Sequence, residues 1–260
     1  MKIEDIVMHD THIEVHTVNG VPVYVKRDDL CTASPRLPNL CKVRALVPIL
    51  LDLKERGIER VAVYSTRISR TGWATAGLCQ LLKLRCTYYY PVFVGKDTAP
   101  LLTVTLARGM GANIIALLVR DNTVSHYDEA ATIALNAGEY MLPYGLATQL
   151  AVEAYRAEAA TIPSHFVEGG TVVGCAGSGT TLLSVQAEMP DSTSVIGVQV
   201  GGALVEPSLQ VVLSPYTYYN IARVQPPFPC DMHYDAKAWE WLTQHIKELK
   251  QPVLFYNMGG

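Results

Sequence analysis

The sequence predicts an α/β fold built on parallel sheets, and three observations lead to that prediction. Apolar segments of strand length, rich in Val, Ile and Tyr, alternate with segments of helical period along most of the chain. Several of the strand-length segments are apolar throughout, as is typical of buried parallel strands. The chain has 260 residues, 49% of them hydrophobic and 17% charged, which suits one large domain or two modest ones.

The elements follow from this alternation. We predict strands at Val21–Val25, Val61–Tyr64, Thr87–Val94, Asn113–Val119, Glu139–Leu142, Thr171–Cys175, Ser194–Val200 and Pro252–Tyr256. We predict helices at Val43–Arg56, Trp73–Leu84, Ala99–Met110, Ser125–Ala137, Ala147–Ala160 and Ala236–Leu249. The first helix has one apolar face, because Leu or Ile stands at positions 46, 49, 50 and 53.

Composition and charge exclude several classes of protein. Twenty-one basic against 24 acidic residues give a net charge of −3, which argues against a nucleic-acid-binding protein but leaves a local basic patch open. No apolar run approaches the ~18 residues of a membrane span. Six scattered cysteines without a Cys-x-x-Cys pair, and a charged N-terminus, are typical of a cytoplasmic protein with reduced thiols. No pattern of metal ligands stands out, and a cytoplasmic enzyme is expected.

Two turns rich in glycine or hydroxyl groups follow predicted strands, where α/β proteins commonly bind ligands. Ser65–Gly72 follows the strand Val61–Tyr64, and Gly174–Thr181 follows the strand Thr171–Cys175. Their hydroxyls and free backbone N–H groups suit an anion such as a carboxylate or phosphate. The second turn lacks the Walker lysine and the Gly-x-Gly-x-x-Gly spacing, so a lone phosphomonoester fits it best. Taken alone, such a turn is more often an ordinary strand–helix connection than an anion site.

Lys42 stands where the first long helix is expected to begin, within Asn39–Arg44. A lysine in such a position is usually a solvated surface charge. It becomes a nucleophile toward aldehydes only where its surroundings lower the pKa of its amine. The position by itself leaves both interpretations open.

Several short segments gain meaning from their order along the chain. They are Val23–Leu30 (VYVKRDDL), Lys42-x-Arg44, Ser69–Gly72 (SRTG), Gly177–Thr181 (GSGTT), Tyr234–Ala238 (YDAKA) and Val253–Gly260 (VLFYNMGG). This order resembles the tryptophan-synthase-β-like (fold type II) family of pyridoxal-phosphate enzymes. The nearest branch is the aminocyclopropane-carboxylate deaminase and D-cysteine desulfhydrase group.

The resemblance implies a two-domain, three-layer αβα fold with parallel sheets, and pyridoxal 5′-phosphate as the cofactor. Residues 1–44 and 141–260 would form the larger, cofactor-binding domain, and residues 45–140 a smaller inserted domain, with the cofactor between them. A homodimer acting on a small amino-acid-type substrate, without a membrane partner, is also expected.

The same resemblance assigns the site residues. Lys42 would hold the cofactor as a Schiff base, and Asp235 would face the pyridine nitrogen. The residues expected to bind the cofactor are Lys42, Arg70, Gly177, Ser178, Gly179, Thr180, Thr181 and Asp235. Those expected to bind the substrate are Ser69, Arg70, Thr71 and Gly72, and those expected to be catalytic are Lys42, Ser69 and Tyr234.

Three positions depart from the family pattern. Cys41 replaces the Asn before the lysine, Arg70 replaces the Asn that contacts the ring hydroxyl, and Asn257–Met258 replaces a late His-Thr pair. A planar, permanently charged guanidinium at position 70 suits a second anionic group on the substrate, although a solvent-facing arginine is an equal alternative.

The expected reaction runs through an external aldimine and a Cα carbanion, most simply as a deamination or β-elimination. The departures keep two alternatives open. One is decarboxylation or β-replacement on a larger amino-acid-bearing substrate, such as an aminoacylated nucleobase. The other is a non-catalytic relative that only binds the cofactor.

Overall fold

The computed structural model describes residues 6–32, 34–93, 101–119, 126–201, 208–216 and 218–260. The ends of three predicted elements, at Val94, Ala99–Pro100 and Ser125, lie outside these residues. The chain divides into two compact units. The smaller consists of Met1–Ile6, Ser34–Pro38 and Leu46–Leu146, and the larger of Val7–Ala33, Asn39–Ala45 and Ala147–Gly260.

Strands and helices alternate along the described chain. The strands are β1 (Ile13–Val18), β2 (Val21–Arg27), β3 (Arg60–Tyr64), β4 (Arg85–Phe93), β5 (Asn113–Val119), β6 (Tyr140–Met141), β7 (Thr171–Ala176), β8 (Ser194–Gln199), β9 (Gln210–Leu213) and β10 (Val253–Asn257). The α-helices are α1 (Lys42–Glu55), α2 (Thr71–Leu82), α3 (Leu102–Gly109), α4 (His126–Asn136), α5 (Gln149–Ala159), α6 (Thr180–Gln186) and α7 (Asp235–His245). Short 3-10 helices occupy Asp28–Leu30, Tyr144–Leu146 and Ser164–Phe166.

The larger unit is built on a six-stranded sheet in the order β1-β2-β10-β7-β8-β9. Only the β1–β2 pair is antiparallel among these strands, and the other neighbours run parallel. Successive side chains of a strand point to opposite faces. Val173 and Cys175 share a buried cluster with Trp239 of α7, whereas a Cβ at Gly174 would meet Leu182 of α6 at 2.8 Å. Helices α7 and α6 therefore cover opposite faces of this sheet.

The smaller unit has a parallel sheet of four strands in the order β5-β4-β3-β6. Here too, helices cover both faces of the sheet, as two successive side chains of β4 show. Tyr89 of β4 packs with Ala130 and Ala134 of α4, while the ring of Tyr88 lies against Gly72 of α2. Each unit is thus a three-layer αβα arrangement, as the sequence predicts.

The predicted strands and helices are all present in the described residues, with ends shifted by a few positions. Three further elements have weak sequence signals. Strand β1 alternates polar and apolar residues and β9 has four residues, both at sheet edges, so neither shows the continuous apolar run of a central strand. Helix α6 has seven residues, too few for a clear helical period. Among the helices described, none is long and apolar enough to cross a membrane.

Candidate active site

Lys42 is the first residue of α1, and the C-terminal segment of the chain holds the residues before it. The backbone N–H of Cys41 donates to the carbonyl of Met258 at 2.8 Å, and Leu40 forms an antiparallel bridge with Gly259. The N–H of Gly260 donates to the carbonyl of Asn39 at 3.0 Å. The end of the chain thereby fixes the backbone from which Lys42 projects.

The Lys42 amine has properties that suit a nucleophile. Its side chain is partly exposed, and no hydrogen-bond or ion-pair partner for it is present within the described ranges. Burial lowers the pKa of Lys42, while Cys41, Cys175 and Asp235 act in the opposite direction. A lysine with a lowered pKa has a larger neutral fraction, and the neutral amine is the form that attacks an aldehyde.

A buried charge network stands behind this helix start. The Arg44 guanidinium donates to Asp28 Oδ1 through Nη2 at 2.7 Å and pairs with Glu158 Oε2 through Nη1 at 3.1 Å. Lys26 Nζ lies 2.8 Å from Glu158 Oε1, and the Tyr256 hydroxyl donates to Asp28 Oδ2 at 2.9 Å. All five side chains are buried. The network links β2, α1, α5 and β10, and it gives Lys26 and Asp28 of the VKRDDL segment a structural role.

Arg27 and Asp29, the other charged pair of the VKRDDL segment, pack against Gly260. Arg27 donates through Nε and Nη2 to the two carboxylate oxygens of Asp29, at 2.9 and 2.8 Å. A Cβ at Gly260 would lie 2.4 Å from Asp29 Oδ2, so position 260 has no room for a side chain. The close approach accounts for a glycine at this end of the chain.

The Gly177–Thr181 turn joins β7 to α6 in the same unit as Lys42. Gly179 has a φ of +88°, a left-handed conformation that favours glycine, whereas a Cβ at Gly177 would meet no described atom within 4 Å. The Ser178 and Thr180 hydroxyls lie 3.3 Å apart. The turn therefore combines hydroxyl groups with an open approach to its backbone, which suits an anion such as a phosphate.

Asp235 is the buried first residue of α7. Its Oδ1 accepts the backbone N–H of Met258 at 3.1 Å. Its carboxylate opposes the burial that lowers the pKa of Lys42 and adds to the burial that raises the pKa of Cys175. The preceding residue, Tyr234, is partly exposed, and its hydroxyl hydrogen-bonds the hydroxyl of Tyr218. Lys42, the Gly177–Thr181 turn, Tyr234 and Asp235 thus belong to one unit, with Asp235 acting electrostatically on Lys42.

The predicted substrate residues belong to the smaller unit, at the start of α2. The Ser69 hydroxyl accepts the N–H of Thr71 at 3.3 Å and donates to its hydroxyl at 3.1 Å. Arg70 is partly exposed and occupies the position directly before the helix. Gly72 is required by packing, because a Cβ there would lie 2.5 Å from the Tyr88 ring. These four residues are therefore neighbours, and the helix begins two residues earlier than predicted.

The larger unit fits pyridoxal phosphate by the chemistry of its groups. An amine without an ion-pair partner among the described residues suits an aldehyde, a glycine-rich turn with hydroxyls suits a phosphate, and a buried carboxylate suits a protonated ring nitrogen. Lys42, the Gly177–Thr181 turn and Asp235 supply these three groups.

Two buried polar residues of α5 escape the sequence argument. Glu158 has no exposed surface and joins Lys26 to Arg44, and Tyr155 is buried on the same helix. They share a face with Ala151, because the three positions are separated by four and three residues. The sequence signal that could have identified Glu158 is an acidic residue on the same helix face as Ala151 and Tyr155.

Comparisons with known proteins give similarities in sequence and in fold. No protein-family model matches the chain. A curated relative, "Glycyl-dTMP PLP-dependent decarboxylase" of Pseudomonas phage M6, is 27% identical over 280 residues, which cover 97% of this chain and 99% of the phage protein.

Solved structures share the fold over nearly the whole chain. An ACC deaminase homologue has a TM-score of 0.79 at 20% identity and covers 98% of this chain and 90% of its own. A hydrogen sulfide-producing enzyme from Fusobacterium nucleatum has a TM-score of 0.72 at 12% identity, with 100% and 97% coverage. O-ureido-L-serine synthase has a TM-score of 0.73 at 15% identity, with 99% and 90% coverage. The chain therefore has the tryptophan-synthase-β-like fold of the fold type II pyridoxal-phosphate enzymes, as the order of its sequence motifs implies.

Proposed function

We propose that this chain is a pyridoxal-phosphate enzyme that breaks a bond at Cα of an amino-acid substrate, with Lys42 as the cofactor lysine. The observation that carries the proposal is the Lys42 amine itself. Within the described residues it has no hydrogen-bond or ion-pair partner, its pKa is lowered by burial, and the Asp235 carboxylate acts on it. The fold and the phage relative support the same cofactor.

Each group of residues has one task in this proposal. Bound pyridoxal phosphate supplies an aldehyde carbon and a ring that accepts electrons from Cα. The Gly177–Thr181 turn binds the phosphate, and Asp235 keeps a proton on the ring nitrogen. The Lys42 amine, once released by the substrate, holds and moves the proton at Cα. Ser69, with the start of α2, binds the substrate carboxylate.

Absorbance and chemical trapping test the cofactor assignment. Purified protein supplied with pyridoxal phosphate should be yellow, and borohydride should abolish the visible band and leave a reduced adduct on Lys42. Lys42→Arg should remain folded but stay colourless. Lys26 and Lys237 are the internal controls, because both are buried lysines of the same unit. An adduct on either of them, or protein that stays colourless, contradicts the assignment.

The finer reaction that we propose first is deamination or β-elimination. The sequence motifs are nearest the deaminase and desulfhydrase group, and the ACC deaminase homologue has the highest TM-score among the solved structures described above. In β-elimination the Cα proton moves to Lys42, a β-substituent leaves, and water releases the nitrogen of the remaining enamine as ammonia. A 1-aminocyclopropane substrate has no Cα proton, so in that case a ring bond to Cα breaks instead, and water again releases the nitrogen as ammonia. The products are a keto acid and ammonia, together with the released β-substituent in the case of β-elimination.

A second candidate, decarboxylation of an amino acid that is carried by a nucleotide and keeps its amine and carboxylate free, is favoured by the phage relative. That protein is described as acting on glycyl-dTMP, and its length matches this chain almost completely. In this reaction the bond between Cα and the carboxylate breaks, carbon dioxide leaves, and Cα takes a proton from Lys42, so the nitrogen stays in the product. Arg70, which replaces a neutral family residue, suits the additional phosphate of a nucleotide.

Product analysis separates the two reactions. The protein is incubated with D-cysteine, with 1-aminocyclopropane-carboxylate and with a glycyl-thymidylate, and ammonia, keto acid and carbon dioxide are measured. Ammonia with keto acid from the free amino acids supports the first candidate. Carbon dioxide from the glycyl nucleotide, in an amount equal to the amine formed, supports the second. Cofactor binding without turnover of any of them supports a non-catalytic relative.

A further inference from the structure

Tyr155 is a buried polar residue to which neither proposed reaction gives a role. It lies on α5, its side chain has no exposed surface, and its hydroxyl has no hydrogen-bond partner in the described part of the chain. Tyr256, an equally buried tyrosine of the same unit, differs in this respect because its hydroxyl donates to Asp28 at 2.9 Å. Buried hydroxyls are normally paired, so an unpaired one calls for a partner that the protein itself does not provide.

The surroundings of this hydroxyl indicate which partner it serves. Helix α5 packs against α6, and the Tyr155 hydroxyl interacts with Thr181, the last residue of the Gly177–Thr181 turn, without forming a hydrogen bond of normal geometry. Cys41, the residue before Lys42, also acts on it electrostatically, as do Asp28 and Cys31. The hydroxyl therefore lies beside the start of α6, where the anion-binding turn ends.

The protonation state suits a donor. Burial raises the pKa of Tyr155 well above its ordinary value, so the hydroxyl keeps its proton at neutral pH. Thr181 is also buried, and its own hydroxyl has no described hydrogen-bond partner. Two neutral donors beside a glycine-rich turn are a suitable complement to an anionic oxygen.

We propose that the Tyr155 hydroxyl is a further donor of the anion site formed by the Gly177–Thr181 turn, and that it binds the phosphate group of pyridoxal phosphate. The proposal rests on the cofactor assignment above and extends it to a residue outside the sequence motifs. It assigns α5 to the cofactor site, in addition to α6 and its preceding turn.

Tyr155→Phe tests the proposal, because it removes the hydroxyl and keeps the ring. The apo-protein is titrated with pyridoxal phosphate and, separately, with pyridoxal, and the visible absorbance of the lysine adduct is followed. We expect the Kd for pyridoxal phosphate to rise about ten- to a hundredfold, the range for a lost hydrogen bond to a charged group. The Kd for pyridoxal, which has no phosphate, should stay unchanged.

Thermal unfolding of the apo-protein in phosphate-free buffer is the second measurement. Loss of an unpaired hydroxyl should leave the melting temperature unchanged or raise it. Tyr256→Phe is the matched control, since it loses a formed hydrogen bond and should melt about 2–4 °C lower. A Tyr155→Phe variant that melts lower than the parent, or that fails to fold, contradicts the proposal and indicates a structural role.

The outcomes separate this inference from the proposed function. Parent protein that forms no coloured adduct with pyridoxal phosphate refutes the cofactor assignment itself. Parent protein that forms the adduct, together with Tyr155→Phe of equal affinity, refutes only the role of Tyr155. An equal rise in the Kd of Tyr155→Phe for pyridoxal phosphate and for pyridoxal also refutes it, because the lost contact is then not to the phosphate.

Discussion

At the scale of single residues, the pKa of Lys42 depends in part on Asp235. Burial lowers the pKa of Lys42, and the Asp235 carboxylate acts in the opposite direction. In the proposed function the same carboxylate keeps a proton on the ring nitrogen of the cofactor. A second buried acid of the same region, Asp231, accepts the N–H of His233 at 2.9 Å. Two buried carboxylates therefore stand near the start of α7, and substitution can distinguish their roles.

Asp235→Asn should keep the fold but slow the chemistry at Cα. An amide oxygen can still accept the Met258 N–H, whereas the charge that holds a proton on the ring nitrogen is lost. We expect exchange of the substrate Cα hydrogen with deuterium to slow by about 10²–10³-fold. Asp231→Asn is the matched control and should exchange at a rate close to that of the parent. Slow exchange in Asp231→Asn with normal exchange in Asp235→Asn would assign the ring nitrogen to the other acid.

Gly177→Val should weaken cofactor binding more than it changes stability. A Cβ at Gly177 has open space around it, so the folded apo-protein can accept the side chain, but a valine there blocks close approach of a phosphate. The Kd for pyridoxal phosphate should rise about ten- to a hundredfold. Gly179 is a poorer probe because its φ of +88° adds backbone strain to any substitution. Gly109→Val, also in open space, is the control, and equal affinity of both variants would place the phosphate elsewhere.

Arg70→Asn should change which substrates react. A guanidinium offers two parallel donors to a carboxylate or phosphate, which an amide cannot reproduce. Loss of such a contact should reduce kcat/KM for a substrate with a second anionic group about ten- to a hundredfold. Small neutral amino acids should be unaffected or improved. If Arg70→Asn and the parent have identical kinetic constants, for neutral and for dianionic substrates alike, Arg70 does not take part in substrate recognition.

At the scale of elements, the network around Glu158 joins parts of the chain that are far apart in sequence. Glu158 of α5 pairs with Lys26 of β2 and with Arg44 of α1, two residues after Lys42. It also accepts the backbone N–H and the hydroxyl of Thr11, at 2.8 and 2.7 Å. Removing one partner of a buried ion pair is costly because the remaining charges stay out of water.

Glu158→Gln should therefore lower the free energy of unfolding by about 3–5 kcal/mol, measured by chemical denaturation at neutral pH. Glu153→Gln, an exposed change on the same helix, is the control and should stay within about 0.5 kcal/mol of the parent. A small effect at Glu158 would mean that the network positions side chains without adding stability.

The pH dependence of that difference follows from the direction of the pKa shift. Burial by itself raises the pKa of Glu158, but Lys26, Arg44 and Thr11 together lower it below its ordinary value of 4.5. A carboxyl whose pKa is lowered on folding contributes stability above its unfolded pKa and loses it as the pH falls through the folded pKa. The difference in the free energy of unfolding between the parent and Glu158→Gln should thus be largest at pH 7 and become smaller below pH 4.5. A difference that stays constant in acid would contradict the ion-pair explanation.

At the scale of the whole molecule, the cofactor should stabilise the fold, since the proposed site uses residues from several segments of the larger unit. Ligand at 100 times its Kd adds about 2.7 kcal/mol. In a chain of this length that corresponds to a rise of about 5–10 °C in melting temperature. Removal of the cofactor with hydroxylamine should reverse the rise, and added pyridoxal phosphate should restore it. Equal melting of the apo and loaded protein would show that the site does not bind the cofactor. The homodimer stays a prediction for light scattering to test.

The sequence by itself determined the fold class and most of its elements. Strand-length apolar runs and helical periods are local patterns, so the central strands such as β7 and β10 can be identified from neighbours in the chain alone. The order of the motifs then implied the fold type that the solved structures share. Edge strand β1 and the short helix α6 had too weak a local pattern to be found.

Only the tertiary structure decided which residues pair with Lys26 and Asp28, and which buried residues of α5 lie beside the Gly177–Thr181 turn. Lys26 and Asp28 meet Glu158, Arg44 and Tyr256 from distant parts of the chain, and nothing in the local sequence specifies those partners. Likewise, whether a buried hydroxyl on α5 is paired depends on packing against α6 and not on its neighbours in sequence. Long-range contacts of this kind arise when separate segments pack together, and so periodicity and spacing cannot reveal them.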